Sequence, residues 1–362
     1  MNSDVYREVF AHIKDVRDRV NYLVALGRHD ICHDLRRRCA AEIRDQGPDF
    51  GLSYETLHVR CSDGSLQTHV QMGDLNVVQQ VRSAKAFDVV ASTAGSFYQD
   101  HEHRLYEWNH AKLNFEFLQS FRHPVRQVAT GANFMMVLSE GTVHGRGTNF
   151  WGQMTPTLEH LTELTPIVYS NPATHICCGT DHSVVLTHGR KGSIAVSRGR
   201  GMTCDIADVL GVSAGETHSV VQRGDGRFQL YFSRPIHLNH IEISRSQPNH
   251  YTHGLIYNLK TPPHTRSVLC GGDFSVAVDE KGNIFVLGRG FAGNWKMIAT
   301  GVGDVVCSRY QLAYSLIDGA SIKYVYMSLK TVFRTRFVIE RSCDGRFVSE
   351  RSCDGGFVVE QT

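Results

Sequence analysis

A chain of 362 residues that is 41% hydrophobic is long enough to bury one large core or several small ones. A formal charge of only +2 leaves no electrostatic footprint for nucleic acid, so nucleic-acid binding is not expected. There is no run of 18 apolar residues, and the N-terminus mixes acids with its bases. Neither a membrane span nor a signal peptide is expected, which points to the cytoplasm and/or nucleus.

Residues 1–47 read as helical. Val5, Val9, Ile13 and Val16, then Val20, Leu23 and Val24, recur at helical spacing. Gly27 can end the second helix, and Asp30 can cap a third that runs through Leu35 to Ile43. Three short helices bury little surface, so such a unit leans on a neighbour. Arg36 to Arg38 form the densest basic run, but three successive residues on a helix point to all its sides. With nine Lys/Arg against eight Asp/Glu in the segment, a solvated face is expected rather than a phosphate grip.

From residue 52 onward the pattern changes to a repeated unit, most legible as "VRQVATGANFMMVLSEGTVHGRGTNFWGQM" at 125–154. Val128, Gly131, Leu138, Gly141 and Gly147 set its frame. Ile176, Gly179, His182, Ser183, Leu186 and Gly189 repeat that frame, as do Val212, Gly215, His218, Ser219 and Gly226. A fourth copy has Val268, Gly271, Phe274, Ser275, Val278, Gly282 and Gly288. Worn copies carry Ser92 and Ser308 at the first glycine position, and an opening fragment shows only a hairpin around Gly64.

Starting points at 92, 131, 179, 215, 271 and 308 give steps of 39, 48, 36, 56 and 37, close to the size of a four-stranded propeller blade. Each short apolar run, such as "FMMVL" or "FSVAV", ends at a glycine-bearing turn and is followed by another β-rich run, a hairpin pattern. The leading glycine follows a buried strand, where φ > 0 or a close backbone approach excludes a side chain. Blades are expected to start near 125, 173, 209 and 265. The long step after Gly215 marks an insertion at 233–264. At the C-terminus, Glu340 to Ser349 is followed by a near-copy, Glu350 to Val359, and the two are expected to form successive strands that close the ring.

The order Val-x-x-Gly-x-x-His-Ser, a turn glycine, then a Gly-rich end leading to Trp151-Gly152-Gln153, resembles the regulator-of-chromosome-condensation repeat family. That resemblance spans roughly residues 52–362 and implies a seven-bladed β-propeller. The expected fold is therefore mainly β, a propeller of about seven blades preceded by a small N-terminal helical segment. The His-Ser pair is intact only at His182/Ser183 and His218/Ser219, and the Trp-Gly-Gln step occurs once. Residues 1–47 are similar to a degenerate F-box, with Val9, Phe10 and Ile13 on an apolar helix and Leu23 and Val24 before a basic third helix. The usual leading Leu-Pro is absent. The resemblance implies that Phe10, Ile13, Val20, Leu23 and Val24 divide between an internal core and a Skp adaptor of cullin-RING ubiquitin ligases. A helical cap on the propeller or an oligomerisation element is the alternative for these residues.

Residue chemistry points away from catalysis. The sequence has no Gly-x-Ser-x-Gly elbow, phosphate-binding Gly-x-x-x-x-Gly-Lys-Ser/Thr loop or His-Glu-x-x-His motif, and no cofactor is expected. Ten cysteines lack a Cys-x-x-Cys pair and read as reduced core thiols. His182 and His218 read as framework residues. Five histidines, His237, His240, His250, His253 and His264, crowd one segment without accompanying thiolates or carboxylates at fixed spacing, so an exposed loop is expected rather than a metal site. With only Trp108, Trp151 and Trp295, a tryptophan-based photoreceptor of the same repeat type is disfavoured.

The expected function is a protein–protein interaction scaffold. Its most concrete form is an F-box substrate receptor whose propeller recognises a client. The alternative, also implied by the repeat resemblance, is guanine-nucleotide exchange on a small Ras-like GTPase. In either form His237, His240, Arg245, His250, Tyr251 and His253 in the insertion are the candidate client or GTPase contacts.

Overall fold

A computed structural model describes residues 50–350, except 233–254 and the shorter stretches 53–55, 61–64, 73–74, 82–85, 93–94, 110, 158–159, 190–191, 200–203, 217, 289–293, 309–310, 317–320, 328–332 and 342–346. By its contacts the chain divides into two units, Met1–Pro48 and Asp49–Thr362. The helices expected at 1–47 lie outside the described residues. Every element among the described residues is a strand.

These strands form seven antiparallel sheets, and each sheet uses consecutive segments of the chain. Numbered in chain order, blades 1 to 7 span 50–81, 86–120, 125–167, 173–207, 209–259, 265–299 and 302–350. The starts expected near 125, 173, 209 and 265 coincide with Val125–Thr130, Ala173–Cys178, Val209–Ala214 and Thr265–Cys270. The first strand of each blade lies against the first strand of the next, and Val302–Cys307 of blade 7 lies against Phe50–Leu52 of blade 1. The ring of seven is thereby closed.

The first copy of the duplicated C-terminus does not make the closure expected of it. Phe333–Arg341 and Phe347–Glu350, which carry the first copy, pair as the fourth and fifth strands of blade 7, with Arg341 opposite Phe347. They lie at the far edge of the sheet from its inner strand, and blade 1 supplies all four of its own strands. Closure is therefore a contact between inner strands. The second copy lies outside the described residues beyond Glu350.

The apolar material lies between blades. Met136 and Leu138 of blade 3 pack with Ile176 and Val185 of blade 4, whereas Met135 and Val137 pack with Phe97 and Leu105 of blade 2. Alternation along one strand thus serves two interfaces, because successive side chains leave opposite faces. Phe134–Ser139 and Phe274–Asp279 are buried at every position, which explains their continuous apolar runs. Between blades 1 and 2, where the repeat is worn, an aromatic cluster does the sealing. His58, Trp108 and Phe115 have ring centroids 5.0–5.1 Å apart, and Phe115 meets Tyr98 at 4.8 Å.

The leading glycines are required by close approach, not by φ. A Cβ on Gly215 would stand 1.9 Å from the carbonyl oxygen of Gly271, and one on Gly179 would stand 2.5 Å from that of Gly215. This proximity lets backbone hydrogen bonds cross the blades: Ala132 N–H to Thr180 O at 3.1 Å, Thr180 N–H to Glu216 O at 3.0 Å, and Glu216 N–H to Gly271 O at 3.1 Å. The turn glycines behave differently, with Gly141, Gly226 and Gly282 at φ 76, 84 and 77° in their hairpins.

The His-Ser pairs also work between blades. His182 Nε2 reaches Ser219 Oγ at 2.8 Å, and His218 Nε2 reaches Ser275 Oγ at 3.0 Å. Each histidine therefore bonds the serine of the following blade, never its neighbour in sequence. Ser183, with Phe134 rather than histidine in the preceding blade, donates instead to the carbonyl of Gln153. Phe274 likewise ends the series at blade 6.

Gly215→Ala forces carbonyl and Cβ apart at the heart of the ring and is expected to cost about 3 kcal/mol. Gly211→Ala, whose Cβ would meet nothing nearer than Gln222 Oε1 at 3.4 Å, is expected to stay within about 0.5 kcal/mol. Urea-unfolding midpoints of the two variants check this contrast.

Candidate functional site

Antiparallel order within each blade sorts the connections onto two faces. Turns between first and second strands share one face with the connections between third and fourth strands. The hairpins between second and third strands share the other face with the crossovers to the next blade. The first of these, the loop face, carries the longer connections: 148–160 in blade 3 and 233–254 in blade 5. A hydrogen bond from Thr148 N–H to Asn133 O at 2.8 Å ties the longer loop of blade 3 to the short turn beside it.

The blade 3 loop is built from its buried base outward. Asn149, fully buried, accepts from Met154 N–H at 2.8 Å through Oδ1. Its Nδ2 donates to Thr155 Oγ1 at 2.8 Å and to the carbonyl of Thr157. Gln153, 2% exposed, accepts from Trp151 N–H at 2.9 Å and donates to Thr148 O at 2.8 Å. Met154 plugs the core between blades 3 and 4. What this framework holds outward is Phe150, 70% exposed, and Trp151, 48% exposed. The Trp-Gly-Gln step reads from sequence as pure scaffold. Its glutamine is scaffold, while its tryptophan and the preceding phenylalanine form a presented aromatic pair. The available signal was an aromatic dipeptide inside a run of turn-forming residues.

The residues expected to carry function are placed as follows. Phe10, Ile13, Val20, Leu23 and Val24 lie outside the described residues, as do His237, His240, Arg245, His250, Tyr251 and His253. The flanks of the insertion are described. Phe232 pairs with Leu255, so the segment leaves and re-enters the loop face at one point of blade 5. Its boundary needs correction: Leu255–Leu259 is the fourth strand of the blade, and the insertion is 233–254 rather than 233–264. His264 sits at φ 59° on the crossover to blade 6, where its carbonyl accepts from Glu280 N–H at 3.1 Å, so it belongs to the opposite face. The histidine crowd at 237–264 is thus divided by a strand.

Among the described residues, no group of three or more His, Cys, Asp or Glu could hold a metal ion. The thiols of Cys177, Cys178, Cys270 and Cys307 are unbridged, and burial holds each well above the usual thiol range, Cys270 at about 12. Such thiols stay protonated and pack as small hydrophobes. Carboxylates on the other face act as turn braces. Asp279 accepts from Lys281 N–H, Asn283 N–H and Asn283 Nδ2 at 2.7–2.8 Å, and these bonds lower its pKa against a desolvation cost that raises it.

No family model matches the sequence, and no curated protein matches it. Solved structures do. Prp20p of Saccharomyces cerevisiae, described with its binding properties to Gsp1p and histones, superposes with a TM-score of 0.54 at 16% identity, covering 72% of this chain and 80% of that one. Human WBSCR16 gives a TM-score of 0.52 at 16% identity over 67% of this chain and 76% of its own. Yeast RCC1 (Prp20) in complex with Kap60 gives 0.50 at 16% identity, over 67% and 71%. The chain has the fold of the regulator-of-chromosome-condensation propeller. Within that propeller the described part of the loop face presents Phe150 and Trp151 on the braced loop of blade 3.

Asn149→Ala removes the brace of the blade 3 loop and is expected to cost about 2 kcal/mol. Phe150→Ser, at an exposed tip, is expected to change stability by less than about 0.5 kcal/mol. Thermal unfolding of both variants is the measurement.

Proposed function

We propose that this protein is a non-catalytic binding scaffold that engages a protein partner through the loop face of its propeller. The observation that carries this reading is the braced loop at 148–157, which keeps Phe150 and Trp151 in water at the cost of their burial. Exposed aromatic side chains on a preorganised frame are the usual anchors of protein interfaces, since little entropy remains to be lost on docking. A ring that holds its loops in fixed relation suits this role.

Two finer forms of the reading have separate supports. Likeness in fold to Prp20p, whose structure is described with Gsp1p binding, favours exchange on a small Ras-like GTPase, with 233–254 as the inserted element. The F-box-like order of residues 1–47 favours a receptor that joins a Skp adaptor to a client. Both leave the propeller without covalent chemistry.

On the exchange form, full-length protein accelerates release of labelled GDP from at least one member of a panel of Ras-like GTPases, and deletion of 233–254 abolishes the effect. On the receptor form, it co-purifies with a Skp adaptor, an association lost in Ile13→Asp and retained in the deletion variant. Unchanged release rates across the panel sink the first form, and no adaptor association with intact protein sinks the second.

A further inference from the structure

Two histidine–serine hydrogen bonds in series cross the seam joining blades 4, 5 and 6. His182 is 0% and His218 4% exposed, and each holds a serine of the next blade through Nε2. Nδ1 of His182 is buried without a hydrogen-bond partner. A bare ring nitrogen tolerates such a site, whereas a buried N–H without an acceptor is costly. The form that fits is the neutral ring with Nε2–H donating to Ser219. His182 also lies tight against Gly179, where a Cβ would stand 2.0 Å from Cε1 and 2.5 Å from Nδ1. The ring thus occupies the space that a side chain at residue 179 would need.

Desolvation is the largest influence on both rings and opposes a positive charge. Asp181, in the turn beside His182, favours the cation, while His218 facing it from blade 5 opposes it. Around Ser275, which His218 holds, the neighbouring group from blade 6 is the Cys270 thiol, protonated and neutral. Glu216, in the turn between blade 5 strands, receives the amide of Thr180 on its backbone carbonyl. Burial pushes both imidazoles down to about 4. At the corresponding positions of blades 3 and 6 stand Phe134 and Phe274, which cannot titrate.

We infer that His182 and His218 form an acid-sensitive latch that holds blade 5 between blades 4 and 6 and releases it on protonation, before the apolar interfaces of the ring give way. In the released form the histidines regain ordinary values near 6.5, so that form takes up the protons first. The latch is fully engaged above about pH 6.5 and weakens as pH falls toward 4. Blade 5 is also the blade whose strands Phe228–Phe232 and Leu255–Leu259 flank the 233–254 insertion.

Hydrogen exchange of the full chain, measured at pH 7.5 and pH 5 and divided by the intrinsic rates, tests the latch. Protection of Val209–Ala214 and His218–Arg223 is expected to drop about tenfold or more at pH 5, while Phe134–Ser139 keeps its protection. The double variant His182→Gln, His218→Gln retains an amide donor and lacks the titration, so its protection ratio is expected to be flat between the two pH values. Equal loss in all blades, no loss in blade 5, or a full pH response in the double variant overturns the inference. Should the double variant fail to fold, the wild-type pattern decides by itself.

Discussion

A four-stranded blade has two apolar faces and can cover neither, so every blade depends on how near its neighbours can come. The limit is set where the first strand ends. At Gly179 and Gly215 the next blade's carbonyl occupies the space of a Cβ, and from that contact follow the amide bonds Thr180 to Glu216 and Glu216 to Gly271. With the inner strands at this separation, the second strands are enclosed on both sides, and Met135 and Met136 serve opposite interfaces. A methyl group at one of these glycines acts on two blades at once.

The same geometry separates scaffold from presentation. Buried polar groups such as Asn149, Gln153 and Ser183 are spent on holding one loop, and their hydrogen bonds leave Phe150 and Trp151 with no place in the core. A scaffold of this kind acts through what its rigid parts refuse to bury. Opposite the loop face, Asp100 and Asp279 each accept backbone amides of their own hairpins and brace those two turns.

Much of this was legible because the repeat carries its chemistry at constant spacing. The frame at Gly131, Gly179, Gly215 and Gly271 located the ends of four inner strands, since a glycine demanded by crowding recurs wherever the crowding does. The histidines announced a framework role. Their partners did not show, because His182 and Ser219 are 37 residues apart and His218 and Ser275 are 57 apart, and nothing local distinguishes a serine in the next blade from the serine alongside. The insertion boundary failed for a similar reason. "LIYNL" is a short apolar run beside prolines, and only its pairing with Phe228–Phe232 marks it as strand.

By itself the sequence determined the β-propeller class, the blade period and the glycine frame, all properties that depend on residues a few positions apart. Tertiary structure decided which strand meets which: that blade 7 closes on Phe50–Leu52 through inner strands while the first copy of the duplicated C-terminus pairs at the outer edge, and that histidine and serine join across blades. It also decided that Trp151 points outward from a motif that otherwise packs inward. Contacts between segments tens of residues apart are chosen by shape and burial in the closed ring, and the linear pattern contains no measure of either.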